Sequence, residues 1–214
     1  MDVMKIHDTY ILMTLFVITY IALIFYGISL LPTLNIYVTP HNIVNILIRP
    51  DAPIVNGLNI LFITHHTAGL HIMLQGEEVF KGSVWELVTS LFIHANIYHL
   101  FFNSLALLII KSISSTLEVN RNIIKVFLVG GVLSNLSVAI ILPNTYSLGA
   151  SGGIFAVFAW VALINYLERR DNVPLIVLLT MLFLSSIPII GVPNVVAHVV
   201  GALVGSLIAI YKRY

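Results

Sequence analysis

Apolar residues of this 214-residue chain are gathered into long runs that short polar segments separate. A helix needs about 20 apolar residues to cross the hydrocarbon core of a bilayer. Six runs approach that length, at roughly 9–31, 91–110, 123–142, 149–167, 173–190 and 194–211. The pattern predicts an all-α, polytopic membrane protein with one domain over residues 1–214, built as a bundle of six transmembrane helices. No small-residue cleavage site follows the first run, which favours a retained span over a signal peptide.

Residues 32–90 form the one long connection between the predicted spans, and the other connections are short and polar. Within it, the segment 52–74 is apolar but is interrupted by Asn, Gly and the pair His65–His66. Two interpretations are open for this segment. It is either a seventh span or, as we favour, a partly buried excursion in the membrane interface.

Composition agrees with a membrane protein and narrows the partners. Hydrophobic residues make up 59% of the chain and charged residues 9%, whereas soluble domains average about 25% charged residues. The expected surroundings are therefore the lipid bilayer. A net charge of +1 gives no reason to expect nucleic acid as a partner. The chain has no cysteine, so a disulfide framework and a thiolate nucleophile are both excluded.

The distribution of basic residues predicts an orientation. In a six-span arrangement, Arg49 and Lys81 fall on one side of the membrane, and the other eight basic residues fall on the opposite side: Lys5, Lys111, Arg121, Lys125, Arg169, Arg170, Lys212 and Arg213. Basic residues accumulate in cytoplasmic loops. We therefore expect a cell-membrane protein with both termini in the cytoplasm and the 32–90 loop outside.

Acidic residues are missing from the interior of every predicted span, which excludes several mechanisms. All nine lie outside the spans or at their ends. An intramembrane aspartyl protease and a carboxylate-based proton-coupled transporter both need a buried acid. The spans hold no His–carboxylate set of the kind that binds zinc. We accordingly expect no metal and no other cofactor.

Histidine and asparagine supply the candidate chemistry of the second run. His99 and Asn103 are separated by four residues and fall on one helix face. His94 lies five residues before His99, so we expect it to point elsewhere and to sit nearer the surface. A structural alternative remains open, in which His99 and Asn103 only tie two helices together.

Small residues surround one serine and one histidine in the fourth and sixth runs. The fourth run opens with Gly149, Ser151 and Gly152, and the sixth carries His198 followed by Gly201 and Gly205 on one stripe: positions i, i+3 and i+7. Glycine stripes allow two helices to approach closely, which would bring Ser151 and His198 together. The alternatives are that Ser151 is a helix cap or packing residue and that His198 is bonded locally. Asn135, Asn165 and Ser185 are interpreted as packing or interhelical hydrogen-bonding residues.

Three motifs together resemble the rhomboid intramembrane serine proteases. They are "HANIYHLFFN" at 94–103, "GASG" at 149–152 and "AHVVGALVG" at 197–205, and they occur in the order and spacing of that family. The resemblance covers about residues 85–211. It extends to "VWELVTSLFIH", where Glu86 stands at the position of a usual arginine.

The resemblance implies a role for each residue of these motifs. Ser151 would be the nucleophile and His198 its general base, in a dyad that lacks an acid. His99, Asn103 and the backbone N–H of Ser151 would form the oxyanion hole. Supporting positions would be Gly149 and Gly152, which permit close approach, and Phe155, which stands where a tyrosine usually stacks on the base. Gly201 and Gly205 would face the fourth helix.

Transmembrane proteins are the substrates that the resemblance implies, cleaved in or near their membrane helices. The segment 185–194 contains two prolines and a glycine beside His198 and is interpreted as a mobile cap over the site. The rival interpretation is a catalytically silent relative that binds or escorts membrane proteins. A small transporter is less favoured, because internal repeats are not visible. The oligomeric state stays open.

Overall fold

The computed structural model of the chain describes residues 7–54, 58–67, 69–115, 122–187 and 194–211. Within these ranges the helices are α1 (Asp8–Leu30), α2 (Pro40–Ile48), α3 (Ile60–Phe62), α4 (Gly76–Phe80), α5 (Glu86–Thr89), α6 (Ile97–Ser114), α7 (Ile123–Ile141), α8 (Ser151–Arg169), α9 (Val173–Ser185) and α10 (Val195–Tyr211). Two-residue strands β1 (Leu74–Gln75) and β2 (Tyr146–Ser147) pair antiparallel. Leu31–Leu34 and Ser90–Phe92 are 3-10 turns, and Ile63–Thr67 is a π-helical turn.

Length and composition of the helices confirm the all-α membrane bundle. Four are long and apolar enough to cross a membrane: α1 with its 3-10 extension, α6, α7 and α8. The apolar helices α9 and α10 are shorter, with 13 and 17 residues. Large apolar side chains such as Phe25, Phe183 and Leu207 point outward and are 63%, 70% and 65% exposed. Such an apolar exterior fits lipid and not water. The number of helices that cross the bilayer remains a prediction.

The second helix begins later than its predicted run at 91–110. Asn96 caps α6, because its side-chain oxygen accepts the N–H of His99 at 2.9 Å. The apolar residues at the start of the run precede the cap: Leu91 and Phe92 belong to a 3-10 turn, and Ile93 is extended. Hydropathy alone cannot separate such a buried lead-in from the helix itself.

The apolar segment 52–74 contains only short regular elements where the structure describes it. Helix α3 has three residues and the π-helical turn after it has five. Ile60 and Ile63 are buried, and Ile60 packs against Gly27 of α1. The described part of this segment thus lies against the bundle without forming a helix of membrane-spanning length.

Helix α8 occupies the centre of the bundle and packs against α6, α7, α9 and α10. The closest contacts are made at positions that lack a side chain. A Cβ on Gly201 or Gly205 of α10 would collide with the backbone of Gly152 or Ala156 in α8, and a Cβ on Gly152 would lie 2.8 Å from the Cβ of Ser134 in α7. Glycine at these three positions therefore sets how closely α7, α8 and α10 approach, as the sequence predicted for α8 and α10.

Trp85 and Glu86 hold the long loop. The Trp85 indole N–H lies 3.2 Å from the carbonyl of Leu70 and 3.0 Å from that of His71. Glu86 is fully buried, and its Oε2 accepts the N–H of Gln75 in β1 at 2.8 Å. Burial raises the pKa of Glu86 to about 8, and the neighbouring carboxylate of Glu78 adds to the effect. A carboxyl group at this position therefore fixes the loop through the backbone of β1.

A chain of hydrogen bonds joins this loop to the start of α8. The amide of Asn135 on α7 donates to the Leu87 carbonyl and to the Ser90 hydroxyl, both at 2.9 Å. The Ser90 carbonyl accepts the N–H of Gly149 at 2.9 Å. Asn135 is thus an interhelical hydrogen-bonding residue, as expected, and its contacts determine where Gly149 lies.

Candidate active site

Ser151 is the first residue of α8, and its side chain points away from the helix end. The N-cap residue is Ala150, so Ser151 is not in the capping position. Its hydroxyl oxygen lies 2.9 Å from Nε2 of His198. Ser151 is partly exposed, whereas His198 is only 7% exposed. The geometry therefore supports a paired serine and imidazole, and it does not support the alternative of a capping serine.

Asn194 fixes the start of α10 and thereby the position of His198. Its Oδ1 accepts the N–H of Ala197 at 3.1 Å, in the manner of an N-cap, and its Nδ2 donates to the hydroxyl of Ser147 at 2.7 Å. Ser147 belongs to β2, four residues before Ser151. One asparagine side chain therefore ties the helix of the histidine to the strand that leads to the serine.

The imidazole of His198 is held on its face and at its second nitrogen. The ring of Phe155, one turn after Ser151, lies 4.7 Å from it between centroids, with 41° between the planes. The hydroxyl oxygen of Ser185 lies 3.1 Å from Nδ1 of His198 and 3.0 Å from the Leu182 carbonyl. Since that hydroxyl donates to the carbonyl, it accepts from His198. The network thus assigns the proton to Nδ1 and leaves the lone pair of Nε2 facing Ser151.

A group of hydrogen-bond donors lies beside this pair. His99 is in the first turn of α6, and its ring faces Gly149, where a Cβ would lie 2.6 Å from the ring carbon Cε1 and 2.7 Å from Nε2. Asn103 follows one turn later and is buried, and none of the described residues accepts a hydrogen bond from its Nδ2. Backbone N–H groups in the first turn of a helix also lack intrahelical acceptors, which applies to Ser151 and Gly152. The site therefore has donors available for an anion.

His94 differs from its expectation. It is 1% exposed, and its ring centroid lies 5.2 Å from that of His99 and 5.0 Å from that of Phe16. The expectation that it points elsewhere and sits nearer the surface was wrong. The segment before α6 is extended and not helical, so helical spacing does not apply between His94 and His99. The ring packs beneath His99 and supports it.

Together these residues are equipped for acyl transfer. A neutral imidazole within hydrogen-bonding distance of a serine hydroxyl can remove its proton as the oxygen attacks a carbonyl. Donors beside a helix N-terminus can stabilise the negative oxygen that forms.

One group among the described residues has ligand atoms close enough together to hold a metal ion. It lies in the 32–90 loop and consists of His65, His71, Glu78 and Glu86.

Ser185 and Asn194 were not identified as site residues from the sequence. An asparagine three residues before Ala197 and directly before an apolar run is typical of an N-cap, so this signal was present. Ser185 carries no comparable signal, because 13 residues separate it from His198 and only the packing of α9 against α10 brings them together. The proposed cap lies mostly at residues 188–193, outside the described residues.

Comparisons with known proteins place these residues in context. The family model described as "Rhomboid domain" matches residues 81–214 of the chain. The Bacillus subtilis (strain 168) protein named "Putative rhomboid protease YdcA" is 26% identical over 136 residues. That similarity covers 61% of this chain and 68% of the relative. The family match includes the segments that carry the site.

Gly149→Ala should destabilise the chain more than Gly82→Ala. Both glycines have positive φ, +117° and +124°, which disfavours alanine by about 1–3 kcal/mol. A Cβ at Gly82 meets nothing within 4 Å, whereas a Cβ at Gly149 meets the ring of His99. We expect Gly149→Ala to lose a further 1–3 kcal/mol or so from this overpacking. Thermal unfolding of both variants in one detergent measures the difference, and equal losses would show that His99 does not press on Gly149.

Proposed function

The chain belongs to the rhomboid family, and we propose from this premise that it is an intramembrane serine protease. The observation that carries the proposal is the 2.9 Å contact between the Ser151 hydroxyl and Nε2 of His198. The two residues come from different helices and meet at one end of the bundle. Substrates are proteins with transmembrane helices, cleaved by peptide-bond hydrolysis in or near the membrane.

In the first half of the reaction Ser151 attacks the scissile carbonyl. Nε2 of His198 takes the hydroxyl proton as the C–O bond forms, and the imidazolium then gives that proton to the leaving amine. The Ser185 hydroxyl keeps the proton on Nδ1 in the resting state and accepts a hydrogen bond from the imidazolium. The Ser185 hydroxyl thus orients the imidazole as a carboxylate does in a catalytic triad, but it is an uncharged acceptor. The ring of Phe155 packs against the imidazole and limits its rotation away from Ser151.

Negative charge in the transition state develops on the former carbonyl oxygen. We assign the oxyanion hole to His99, the Asn103 amide and the backbone N–H of Ser151, supported by the N-terminus of α8. Asn103 carries most of this assignment, because its buried Nδ2 has no acceptor within the part of the chain that the structure describes. A buried donor without an acceptor is costly, which is consistent with a partner that arrives only during the reaction.

The second half of the reaction hydrolyses the acyl-enzyme. His198 now removes a proton from water, and the resulting hydroxide attacks the ester carbonyl at Ser151. Water must reach the site from outside the bilayer, and the partial exposure of Ser151 at the end of α8 provides for this. Each cycle returns the serine hydroxyl and the neutral imidazole.

The orientation in the membrane follows the charges at the ends of the helices. Arg169 lies at the end of α8 opposite to Ser151, and Lys111 lies in the last turn of α6, opposite to His99. We place that basic end in the cytoplasm of a cell membrane, with both termini there, and the catalytic end outside. The silent, escorting alternative is less supported, because Ser151 and His198 are both present and bonded.

Ser151→Ala should abolish cleavage of a transmembrane substrate by the purified protein in detergent or liposomes. The change removes one hydroxyl at a site of small residues, so the variant should unfold at nearly the wild-type temperature. Ser206→Ala is the matched control, since its hydroxyl on α10 bonds only to the Ala202 carbonyl. A fluorophosphonate should label wild type at Ser151 and should not label His198→Ala. Cleavage by Ser151→Ala at the wild-type rate would refute the dyad.

Asn103→Ala should lower kcat about 10²-fold. This is the lower end of the range for the loss of one oxyanion donor, because His99 and the Ser151 N–H remain. KM should change little, since charge develops only in the transition state. The Asn103 Nδ2 has no partner to lose, so stability should stay near wild type. Isosteric Asn103→Asp replaces the donor with a negative acceptor and should be slower still. If the rate stays at the wild-type value in both variants and in Asn103→Ala with His99→Ala, the assignment is wrong.

Ser185→Ala should lower kcat about 2- to 10-fold, the worth of one ordinary hydrogen bond, with KM unchanged. Ser186→Ala is the matched control, because both hydroxyls contact the Leu182 carbonyl but only that of Ser185 contacts His198. Ser185→Thr keeps a hydroxyl and should recover most of the rate. The pH dependence of kcat should shift in Ser185→Ala alone, since only that hydroxyl stabilises the imidazolium. Equal behaviour of the two alanine variants would exclude a positioning role for Ser185.

A further inference from the structure

A second constellation of chemical groups lies in the long loop, apart from Ser151 and His198. His65, His71, Glu78 and Glu86 each present one potential ligand atom, and these four atoms all lie within 4.8 Å of one another. They come from the π-helical turn, the segment after it, α4 and α5. All four residues lie outside the predicted spans, in the 32–90 loop.

Glu86 is the residue that points to a missing partner. Its side chain is fully buried, and Oε2 is used by the N–H of Gln75. Oε1 is buried as well, and no N–H or hydroxyl of the described residues donates to it; Nδ1 of His71 lies 3.7 Å away, and the carboxyl group of Glu78 is also close. Two carboxyl groups this close to each other in a buried place need either a shared proton or a cation between them. A cation between Glu86 and His71 would meet this need.

The distances from His71 to the two carboxyl groups are close to those expected between ligands of one ion. Nδ1 of His71 lies 3.0 Å from Oε2 of Glu78 and 3.7 Å from Oε1 of Glu86. Nitrogen and oxygen ligands lie about 2.0–2.2 Å from zinc and therefore about 3.0–3.6 Å from each other. The side chains of His71 and Glu78 are 33% and 17% exposed, so water can complete the coordination from the outside.

His65 does not bind the ion itself but contacts one of the ligands. Its Nδ1 accepts the N–H of Met73 at 3.0 Å, so the proton of the neutral ring is on Nε2. That N–H donates to Oε2 of Glu78 at 2.8 Å. A metal at Nε2 would need the proton moved to Nδ1, where it would oppose the Met73 N–H. In its present tautomer His65 orients a carboxylate ligand, as residues behind metal ligands commonly do.

We propose that His71, Glu78 and Glu86 form a binding site for one divalent transition-metal ion of the zinc class, with His65 as a positioning residue. Binding replaces the proton on Nδ1 of His71, which moves to Nε2 at the exposed edge of the ring, and any proton held by Glu86 leaves to solvent. One imidazole and two carboxylates suit zinc, whereas the imidazole disfavours calcium. The ion would join α4, α5 and the segment before β1.

Zinc binding to tag-free, chelator-treated protein in detergent tests the proposal. A chromogenic zinc indicator as competitor, with elemental analysis after dialysis, should give one ion per chain for wild type. Calcium should not compete. Zinc in excess should raise the thermal midpoint by about 5 °C, because it binds the folded chain only. Neither readout depends on proteolysis, so the outcome is independent of the proposed function.

Variants distinguish a built site from surface binding. Glu86→Gln and His71→Ala should each abolish stoichiometric zinc binding. His65→Ala should weaken it about 10- to 100-fold. The matched controls are Glu77→Gln, whose exposed carboxylate pairs with Lys81, and His66→Ala, whose ring bonds the Tyr146 hydroxyl; both should bind as wild type.

Glu86→Gln keeps the proposal testable if alanine variants fail to fold. Glutamine retains an acceptor for the Gln75 N–H and offers an amide to Glu78, so the metal-free variant should unfold at or above the wild-type temperature. Absence of stoichiometric binding to wild type would overturn the proposal, as would unchanged binding in folded Glu86→Gln and His71→Ala. Equal losses in His65→Ala and His71→Ala would overturn the assignment of His65 as a positioning residue.

Discussion

Backbone contact between α8 and α10 is the constraint on which the rest of the site depends. Gly201 and Gly205 bring α10 against the carbonyls of Gly152 and Ala156, with no side chain between them. Only at this separation does Nε2 of His198 reach the hydroxyl of Ser151. A methyl group added at either position would lie about 2 Å from a carbonyl oxygen and would push the helices apart by roughly 1 Å, enough to lose the hydrogen bond between Ser151 and His198. Glycine is therefore needed here for proximity more than for conformational freedom.

The loop side of the molecule imposes a second constraint, on Gly149, two residues before Ser151. Gly149 is held by the Ser90 carbonyl, Ser90 by Asn135, and β2 by its pairing with β1 and by Asn194. The central helix thus starts from a point that is fixed from several directions. Glu86 adds to this, because its carboxylate holds β1, and so the loop takes part in placing the site although it lies outside the bundle.

How much could be predicted from the sequence depended on the range of the interactions involved. Helical spacing and glycine stripes are local, so the pairing of Ser151 with His198, the shared face of His99 and Asn103, and the all-α bundle could all be predicted. The position of His94 could not be predicted in this way, because His94 precedes the start of α6 and is not helical. The start of α6 was predicted too early for the same reason. The contacts of Ser185 and of the cluster around Glu86 depend on packing between segments that are far apart in the sequence. The periodicity of a sequence does not indicate such contacts.

Ser185 stands in the last turn of α9, so the orientation of the His198 ring is coupled to the position of that helix. While the end of α9 lies against α10, the proton of His198 stays on Nδ1 and the ring is ready to act. If α9 swings away to admit a substrate helix, the bond to Ser185 breaks and the ring is free to rotate or change tautomer. On the proposed mechanism, an opened molecule is chemically idle and becomes competent when it recloses. Substrate entry and peptide-bond cleavage would then be separate steps. A membrane protein that enters the open site and leaves before it recloses would not be cleaved.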